Sequence, residues 1–572
     1  MNVKIAAASS PHPDPRNWVL VWAEAAFLLI VAMLLRAAGL GEGALHDELY
    51  HFLAARGLLE HGELLIAVAG EPYDRAALFT TVVAAFMELF GRNLAVARIP
   101  ALLAGSLLAV LVFLWLRLCG QRAAAWIAGL LIAVDPLLIQ LSQVVRFYSL
   151  QHLAFAAGTL GIYLLVFYGR SIGVKTMILI GTTGALSLAF AMQPVSAFGL
   201  AGAGLFAAVG LYCYRIRHFS LRGQIGIGLS TALMAGLAVA FFYSTGILEH
   251  YVSLLTYADL WAAQSVDNPR FYYAILHRDY APLWTLFPLL LIFSAVRRPG
   301  LTALCATIFA VGFVGLSLAA WKAERYFSFL MPMFFIVAAL GLVQGLGFLY
   351  GYIRLLLSSA APFCRRYHGL LAAVAIAVIL GFAMAGNYGF LTTARLLTRD
   401  HGLSFPLMGP NDGTLSWRRA AEKLKPVVNE VDVVVASDDL KALYYLDCVD
   451  YVQSPNSLHR RSGRLPELTP DRYTRAGIFA SKQALSAIMQ CHESGLFVVQ
   501  AMSLGQSATG LPRLEATRLL DQKARKIDLP EKWGLIAYRW QTPSENLSGN
   551  CPPGPLPEKS GPNNIKQADA NE

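Results

Sequence analysis

Two carboxylates stand side by side in the run His46-Asp47-Glu48-Leu49-Tyr50-His51, and a second polar run, Pro72-Tyr73-Asp74-Arg75, follows. Adjacent acids can supply a general base, because a carboxylate takes a proton from a hydroxyl or an amine. Such a step is typically worth ~10²–10⁴ in rate. The same pair also fits a solvated loop turn or a helix N-cap at Asp47. His46, His51 and His277, with Asp47 or Asp74, are metal-ligating residue types. No compact ligand spacing joins them, so no metal is assigned, although a divalent ion stays open. A further loop, 246–281, carries Tyr251, Tyr257, Trp261, Arg270, Phe271, Tyr272, Tyr273, His277, Arg278 and Tyr280. Aromatics of this kind form a belt at a membrane interface or line a sugar or lipid groove.

The elements that must position these residues are membrane helices. The chain has 572 residues, 56% hydrophobic and 14% charged, with a mean hydropathy of +0.52. A soluble domain is about a quarter charged, so a disordered protein is excluded and a purely soluble enzyme is disfavoured. The formal net charge of +10 does not point to nucleic acid. In a membrane protein it marks cytoplasmic loops and anionic lipid contacts. Apolar blocks of about twenty residues, enough to cross a bilayer, give eleven expected spans: 17–37, 96–116, 122–142, 150–169, 175–194, 196–214, 224–245, 282–296, 301–320, 326–350 and 369–391. The block 77–90 reaches only ~21 Å as a helix and reads as an interfacial helix lying on the bilayer.

Charge fixes an expected orientation. Residues 1–16 form a cytoplasmic tail, and the first span is a retained signal anchor. The basic groups Arg117/Arg122, Arg170/Lys175, Arg215/Arg217/Arg222, Arg297/Arg298 and Arg354/Arg365/Arg366 then fall on the cytoplasmic side. If 77–90 spanned, every later group would be inverted. The external loops are 38–95 and 246–281, with short ones at 143–149 and 321–325, where Arg146, Lys322, Glu324 and Arg325 lie. Polar residues gathered on one face suggest chemistry there, whereas a transporter places ionisable residues mid-helix. Glu24 and Asp135 are the main acids inside spans, each readable as an interhelical contact.

Beyond residue 391 the composition turns soluble. Helical segments at 416–428, 438–446 and 482–492 alternate with strand-like 431–436, 496–500 and 534–540. A small α/β domain is expected within 392–541, followed by a Pro-rich disordered tail, 542–572. Seven cysteines include no CxxC pair. If the C-terminal part is external, a Cys448–Cys491 disulfide is one option. No Walker or GxGxxG motif is present, which disfavours an ATP-driven pump.

Taken in order, the polar runs resemble a family. Asp47-Glu48 after the first span, Tyr73-Asp74-Arg75 before a short apolar helix and Arg98-Ile99-Pro100-Ala101-Leu102-Leu103-Ala104-Gly105 opening the next are similar to GT-C glycosyltransferases. So are Asp135-Pro136 with Ser142-Gln143-Val144-Val145-Arg146-Phe147-Tyr148-Ser149-Leu150, and Glu324-Arg325-Tyr326 with Leu330-Met331-Pro332. The branch they resemble includes protein O-mannosyltransferases, aminoarabinose transferases and RgtA/B/C/D-like enzymes, over residues 17–391. The resemblance implies a bacterial inner-membrane, inverting enzyme with a GT-C membrane domain and a periplasmic C-terminal domain. Its implied donor is a polyprenyl-phosphate-linked sugar, and its acceptor a lipid, polysaccharide or protein of the cell envelope. It makes Asp47 the base, with Glu48 its motif neighbour. By position it makes Arg75 a donor-phosphate ligand and Asp74 an acceptor or metal contact. The family's prolines after this position are absent here, where Ala76-Ala77 follow.

The chemistry agrees with that implication. A polyprenyl phosphosugar carries one negative charge, and departure of the sugar leaves a monoester with close to two. Fixed cations therefore stabilise the transition state more than the ground state. Arg75, Arg146 and Arg325 all map to the expected external face. If they converge, bidentate guanidinium groups make a phosphate site, with Tyr148 and Tyr326 as hydroxyl donors. His51, Arg270 and His277 are candidate acceptor, donor or metal contacts. Snorkelling to headgroups is the competing reading of the arginines. A lipid or polysaccharide transporter, or an assembly component whose α/β domain binds a partner, are the alternatives from other classes.

Overall fold

The computed structural model describes residues 15–214, 268–358, 414–500 and 513–543 apart from a few short gaps, with scattered positions elsewhere. The chain opens with α1 (Pro15–Ala37), α2 (His46–His61), α3 (Ala77–Phe90) and α4 (Leu94–Leu118). Then come α5 (Arg122–Val134), α6 (Pro136–Ser142), α7 (Tyr148–Phe167), α8 (Ile172–Met192) and α9 (Ser196–Tyr214). Further on lie α10 (Phe271–Asp279), α11 (Ala281–Arg297), α12 (Pro299–Leu318), the single turn α13 (Glu324–Phe327) and α14 (Met331–Ser358).

Among the described residues six helices are long and apolar enough to cross a membrane, or eight if each of two bent pairs is one span. The chain is thus a polytopic helical membrane protein. The expected spans 224–245 and 369–391 lie almost wholly outside the described residues. The others fall on described helices, one of them the bent pair α5–α6.

That bend of 58° has a local cause. Pro136 lacks the N–H that would continue α5, and Asp135 caps α6 by accepting from the Leu138 N–H at 2.8 Å. The carbonyls freed by the break are answered by Arg36, which is fully buried. It donates to Ile132 O at 3.1 Å, to Ala133 O at 3.0 Å and, through Nε, to Ser142 Oγ at 3.2 Å. Tyr280 donates to the other oxygen of Asp135. Glu24 pairs with Arg117 and Arg122. Both intramembrane acids are therefore spent on holding helices together.

The loop expected at 38–95 is largely helical. In α2, Leu49, Phe52 and Leu53 are buried at helical spacing, and two acids in the first turn suit the helix dipole. Glu48 accepts from the Leu45 N–H at 2.9 Å, which supplies an N-terminal cap. Gly62 ends the helix with φ of 78°, as a left-handed C-cap favours. The 14-residue α3 buries Phe79, Val83 and Met87 and exposes Leu78, Leu89 and Phe90.

The C-terminal domain holds α15 (Thr414–Val428), α16 (Asp439–Leu446), α17 (Lys482–Cys491) and α18 (Arg513–Lys523). Its strands are β1 (Val433–Ala436), β2 (Tyr451–Gln453), β3 (His459–Arg460), β4 (Gly463–Arg464), β5 (Thr469–Pro470), β6 (Gly477–Phe479), β7 (Ser494–Gln500), β8 (Ala524–Ile527) and β9 (Leu535–Gln541). Seven form one sheet in the order β5-β6-β2-β1-β7-β9-β8, with β6, β2, β1 and β7 parallel. The all-valine start of β1 suits a strand covered on both faces. Val434 and Ala436 pack with Trp417, Leu424 and Leu440, while Val433 and Val435 pack with Leu485, Ile488 and Leu520. Cys448 lies against the first face and Cys491 ends α17 on the second. The expected disulfide option is not taken, since no bond joins Cys448 to Cys491.

The first face is continuous with α2 and α3. Gly70 lets the 62–76 segment approach the C-terminal domain, because a Cβ there would lie 1.9 Å from the Tyr473 carbonyl oxygen. Glu71 N–H donates to Arg472 O at 3.0 Å, and Ala44 N–H to the Tyr445 hydroxyl at 2.8 Å.

Candidate active site

Glu48 is the hub around which the candidate residues assemble. Its side chain is completely buried, and Arg98 from α4 donates to both its oxygens, to Oε2 at 3.0 Å. Oε2 also accepts from the Val145 N–H at 3.0 Å. Arg98 further binds the carbonyls of Leu40 and Gly43 at 2.9 and 3.0 Å. One buried ion pair thus fastens three things: the entry to α2, the first span's neighbour α4, and the 143–147 loop that carries Arg146. An isolated arginine in an apolar helix signals such a partner, but Glu48 is fifty positions away.

Asp47, one residue earlier on the helix, points elsewhere and is 40% exposed at its side chain. Its Oδ2 lies 3.6 Å from Arg146 Nη2 and 3.8 Å from Arg325 Nη2. Arg146 Nη1 also donates to the Asp47 carbonyl at 2.8 Å. The guanidinium groups of Arg75 and Arg146 stand 5.5 and 5.4 Å from the centroid of the Phe147 ring, a cation–π contact that brings Arg75 to the same place. Arg146 also lies over Tyr148, and Arg325 over Tyr326. The chain before α3 reaches this position through Ala76, whose φ of 50° is left-handed, a strained choice for a residue with a Cβ.

Burial raises the Asp47 carboxyl, but the charges of Arg146, Arg325, His46 and Arg75 outweigh it and hold the group well below the usual carboxylate range. Burial lowers the Arg146 guanidinium, and Asp47, Tyr148 and Tyr73 together more than reverse this. Among the described residues, Arg325 Nε and the Tyr148 hydroxyl are buried with no hydrogen-bond partner of good geometry. Buried donors without partners cost about 1–3 kcal/mol each, so the cluster keeps unspent hydrogen-bonding capacity beside its positive charge. Three guanidinium groups around Asp47 oppose a divalent cation at that carboxylate.

His51 sits beneath this cluster. Its Nδ1 is 2.9 Å from Thr80 Oγ1, and its ring meets the edges of Tyr73, Phe79 and Phe147. Burial, then Arg146 and Arg75, push its pKa well below the ordinary value, so the ring is neutral. Asp74 and Arg75 are exposed. Arg270 and His277 are exposed on and beside α10, where His277 stacks on Tyr273. No described contact brings either to Asp47. Tyr257 and Trp261 lie outside the described residues.

A residue not assigned a role from spacing is Asp438. Its Oδ1 is 2.9 Å from His46 Nδ1, and Asp439 lies close enough that one ligand atom from each of the three falls within 4.8 Å of the others. Lys441 Nζ, 3.5 Å from Asp438 Oδ2, already answers part of that charge. Burial opposes the charged His46 ring, but Asp438, Asp439 and Asp47 raise it to about 9. A histidine raised from about 6.5 lends stability that is whole below that value and lost as pH climbs through about 9. The melting temperature of wild type should therefore exceed that of His46→Gln near pH 6 and meet it above about pH 9. A gap constant across that window would refute the assigned pair.

The fold is that of the GT-C glycosyltransferases, a class of polytopic membrane enzymes. Among solved structures the chain is similar to ArnT from Cupriavidus metallidurans in its apo state, with TM-score 0.57 and 14% identity over 94% of this chain and 99% of the other. It is also similar to ArnT bound to undecaprenyl phosphate, with TM-score 0.55 and 15% identity over 94% and 100%. The archaeal oligosaccharyltransferase AglB from Archaeoglobus fulgidus, in complex with an inhibitory peptide and a dolichol-phosphate, gives TM-score 0.51 and 13% identity over 92% and 75%. No protein-family model and no curated protein sequence matches the chain.

Proposed function

We propose that the protein is a bacterial inner-membrane glycosyltransferase that moves a sugar from a polyprenyl-phosphate donor to a cell-envelope acceptor at the periplasmic face. The observation that carries this reading is the single cluster of Asp47 with Arg146, Arg325 and Arg75, in which buried donors remain unspent. The likeness to structures that hold undecaprenyl phosphate and a dolichol-phosphate supports a lipid-phosphate donor. The orientation rests on the basic groups. Arg117, Arg122, Arg297 and Arg298 gather at the helix ends opposite Asp47, where Arg298 donates to Cys119 O and Arg297 to Gln121, as a cytoplasmic face requires.

In this reading Asp47 accepts the proton of an acceptor hydroxyl or amine. The acceptor atom bonds to the anomeric carbon from the side opposite the phosphate. The bond from that carbon to the phosphate oxygen breaks, and its electron pair leaves on polyprenyl phosphate. Arg146 and Arg325 receive the added negative charge, and Tyr148 and Tyr326 offer hydroxyls. The same arginines hold the free Asp47 carboxylate acidic. When phosphate claims them, the carboxylate becomes more basic and so better suited to take a proton. Glu48, with both oxygens occupied, positions Asp47 and Arg146.

The test is binding of undecaprenyl phosphate to protein in nanodiscs, alongside turnover of a panel of undecaprenyl-phosphate-linked sugars read by mass spectrometry. Arg146→Ala should weaken undecaprenyl phosphate binding about ten- to hundredfold, the span expected for hydrogen bonds to a charged group. It should lower kcat/KM for any accepted donor at least as much. Unchanged binding by Arg146→Ala, or movement of labelled lipid across liposomes with no glycosidic bond made, would overturn the reading in favour of a transporter.

A further inference from the structure

We propose that Asp438 of the C-terminal domain is a positioning residue for the transfer reaction: through its hydrogen bond to His46 it fixes the first turn of α2, and with it Asp47. This inference rests on the transferase reading above.

The contact crosses 392 positions of sequence. Asp438 is itself held firmly, since it is the N-cap of α16. Its Oδ1 accepts from the Lys441 N–H at 3.0 Å, and Lys441 Nζ stands 3.5 Å from Oδ2. The acceptor offered to His46 is thus anchored on a helix start that is 9% exposed, while His46 itself stands at the rim, 40% exposed. The His46 ring also meets the edge of Tyr50, one turn along α2. Tyr50 in turn stacks on Tyr73 and meets Tyr473, which belongs to the C-terminal domain. The turn bearing Asp47 is therefore gripped from two sides. The membrane helices hold it through Glu48 and Arg98, and the C-terminal domain holds it through Asp438 and Tyr445.

A general base must sit within hydrogen-bond reach of the proton it removes, and displacement by an ångström can cost about a hundredfold. Asp47 has a carbonyl tied to Arg146, but its carboxylate is held by two arginines at 3.6 and 3.8 Å, longer than a good charge-assisted hydrogen bond. Once phosphate draws those arginines away, the helix turn beneath Asp47 is what keeps it in place. His46 ties that turn to the C-terminal domain by a side-chain hydrogen bond. The charged groups facing it are Asp438, Asp439 and Asp47, with Lys441 behind Asp438.

Three variants of the full-length protein test this with an undecaprenyl-phosphate-linked sugar that wild type turns over. Asp438→Ser keeps an N-cap oxygen but is too short to reach His46. It should lower kcat about tenfold or more while KM for the donor stays within twofold. Asp438→Asn retains the acceptor and should restore most of kcat. In a His46→Ala background, Asp438→Ser should cause no further loss, because residues acting through one contact are not additive. Should Asp438→Ser fail to fold, His46→Ala, at the exposed rim, carries the test alone with the same expected loss of kcat. The inference is overturned if His46→Ala or a folded Asp438→Ser keeps kcat within twofold of wild type, or if their losses multiply. A wild-type protein that turns over no lipid-linked sugar would instead sink the transferase reading.

Discussion

Asp47→Asn should abolish sugar transfer and, at the same time, tighten the grip on undecaprenyl phosphate. Loss of a general base removes ~10²–10⁴ in rate. The opposite sign for binding follows from the charge at the site. Asp47 is the anion that Arg146, Arg325 and Arg75 now face, and a phosphate must displace it. Removing a unit charge ~6–8 Å from the bound phosphate, at an effective dielectric near 20, is worth on the order of 2–3 kcal/mol, or about 30- to 100-fold in Kd. Titration calorimetry with undecaprenyl phosphate and single-turnover assays on one preparation would measure both. A variant that binds the lipid phosphate more weakly would show that Asp47 is not the arginines' counter-ion, and retained turnover would remove it as the base. The pH profile of wild type carries the same signature. In the free enzyme Asp47 is held below the usual carboxylate range, so the acid limb of kcat/KM should fall below about pH 4. In the donor complex the arginines are shared with phosphate, so the acid limb of kcat should lie at higher pH than that of kcat/KM.

Glu48→Gln should behave quite differently, although it alters the adjacent residue. Breaking a fully buried ion pair costs about 3–5 kcal/mol, because the partner charge is left unanswered. Arg98 would retain its bonds to Leu40 and Gly43 but face an uncharged amide. Val145 would lose a charged acceptor, loosening the loop that aims Arg146. The expected result is a large drop in resistance to chemical unfolding in detergent, with KM for the donor raised. Loss of kcat with stability and KM unchanged would instead hand the proton-accepting role to Glu48.

These paired outcomes show where reading a linear chain stops. Asp47 and Glu48 are neighbours of like chemistry, and both carry the base's residue type. What separates them is about 100° of helix rotation, which turns Glu48 into the interior and leaves Asp47 at the surface. Taking 38–95 as a loop hid that rotation, although Leu49, Phe52, Leu53 and Gly62 carried a helical period and a stop signal. The spans that fall on described helices were legible because long apolar runs must satisfy their own backbone inside a bilayer. In the C-terminal part, strands such as the three-residue β2 were too short to show a pattern.

Charged residues in so apolar a chain are costly unless they face water, a partner or a ligand. Position along the chain therefore sufficed to single out Asp47, Arg75, Arg146 and Arg325 as candidates on one expected external face. It also sufficed to foresee an α/β unit after them. Which acid answers which arginine was a matter of three-dimensional packing. Glu48 meets Arg98 fifty positions on, and His46 meets Asp438 at 392. Such pairings depend on distances between elements far apart in sequence, and no local periodicity or spacing encodes them.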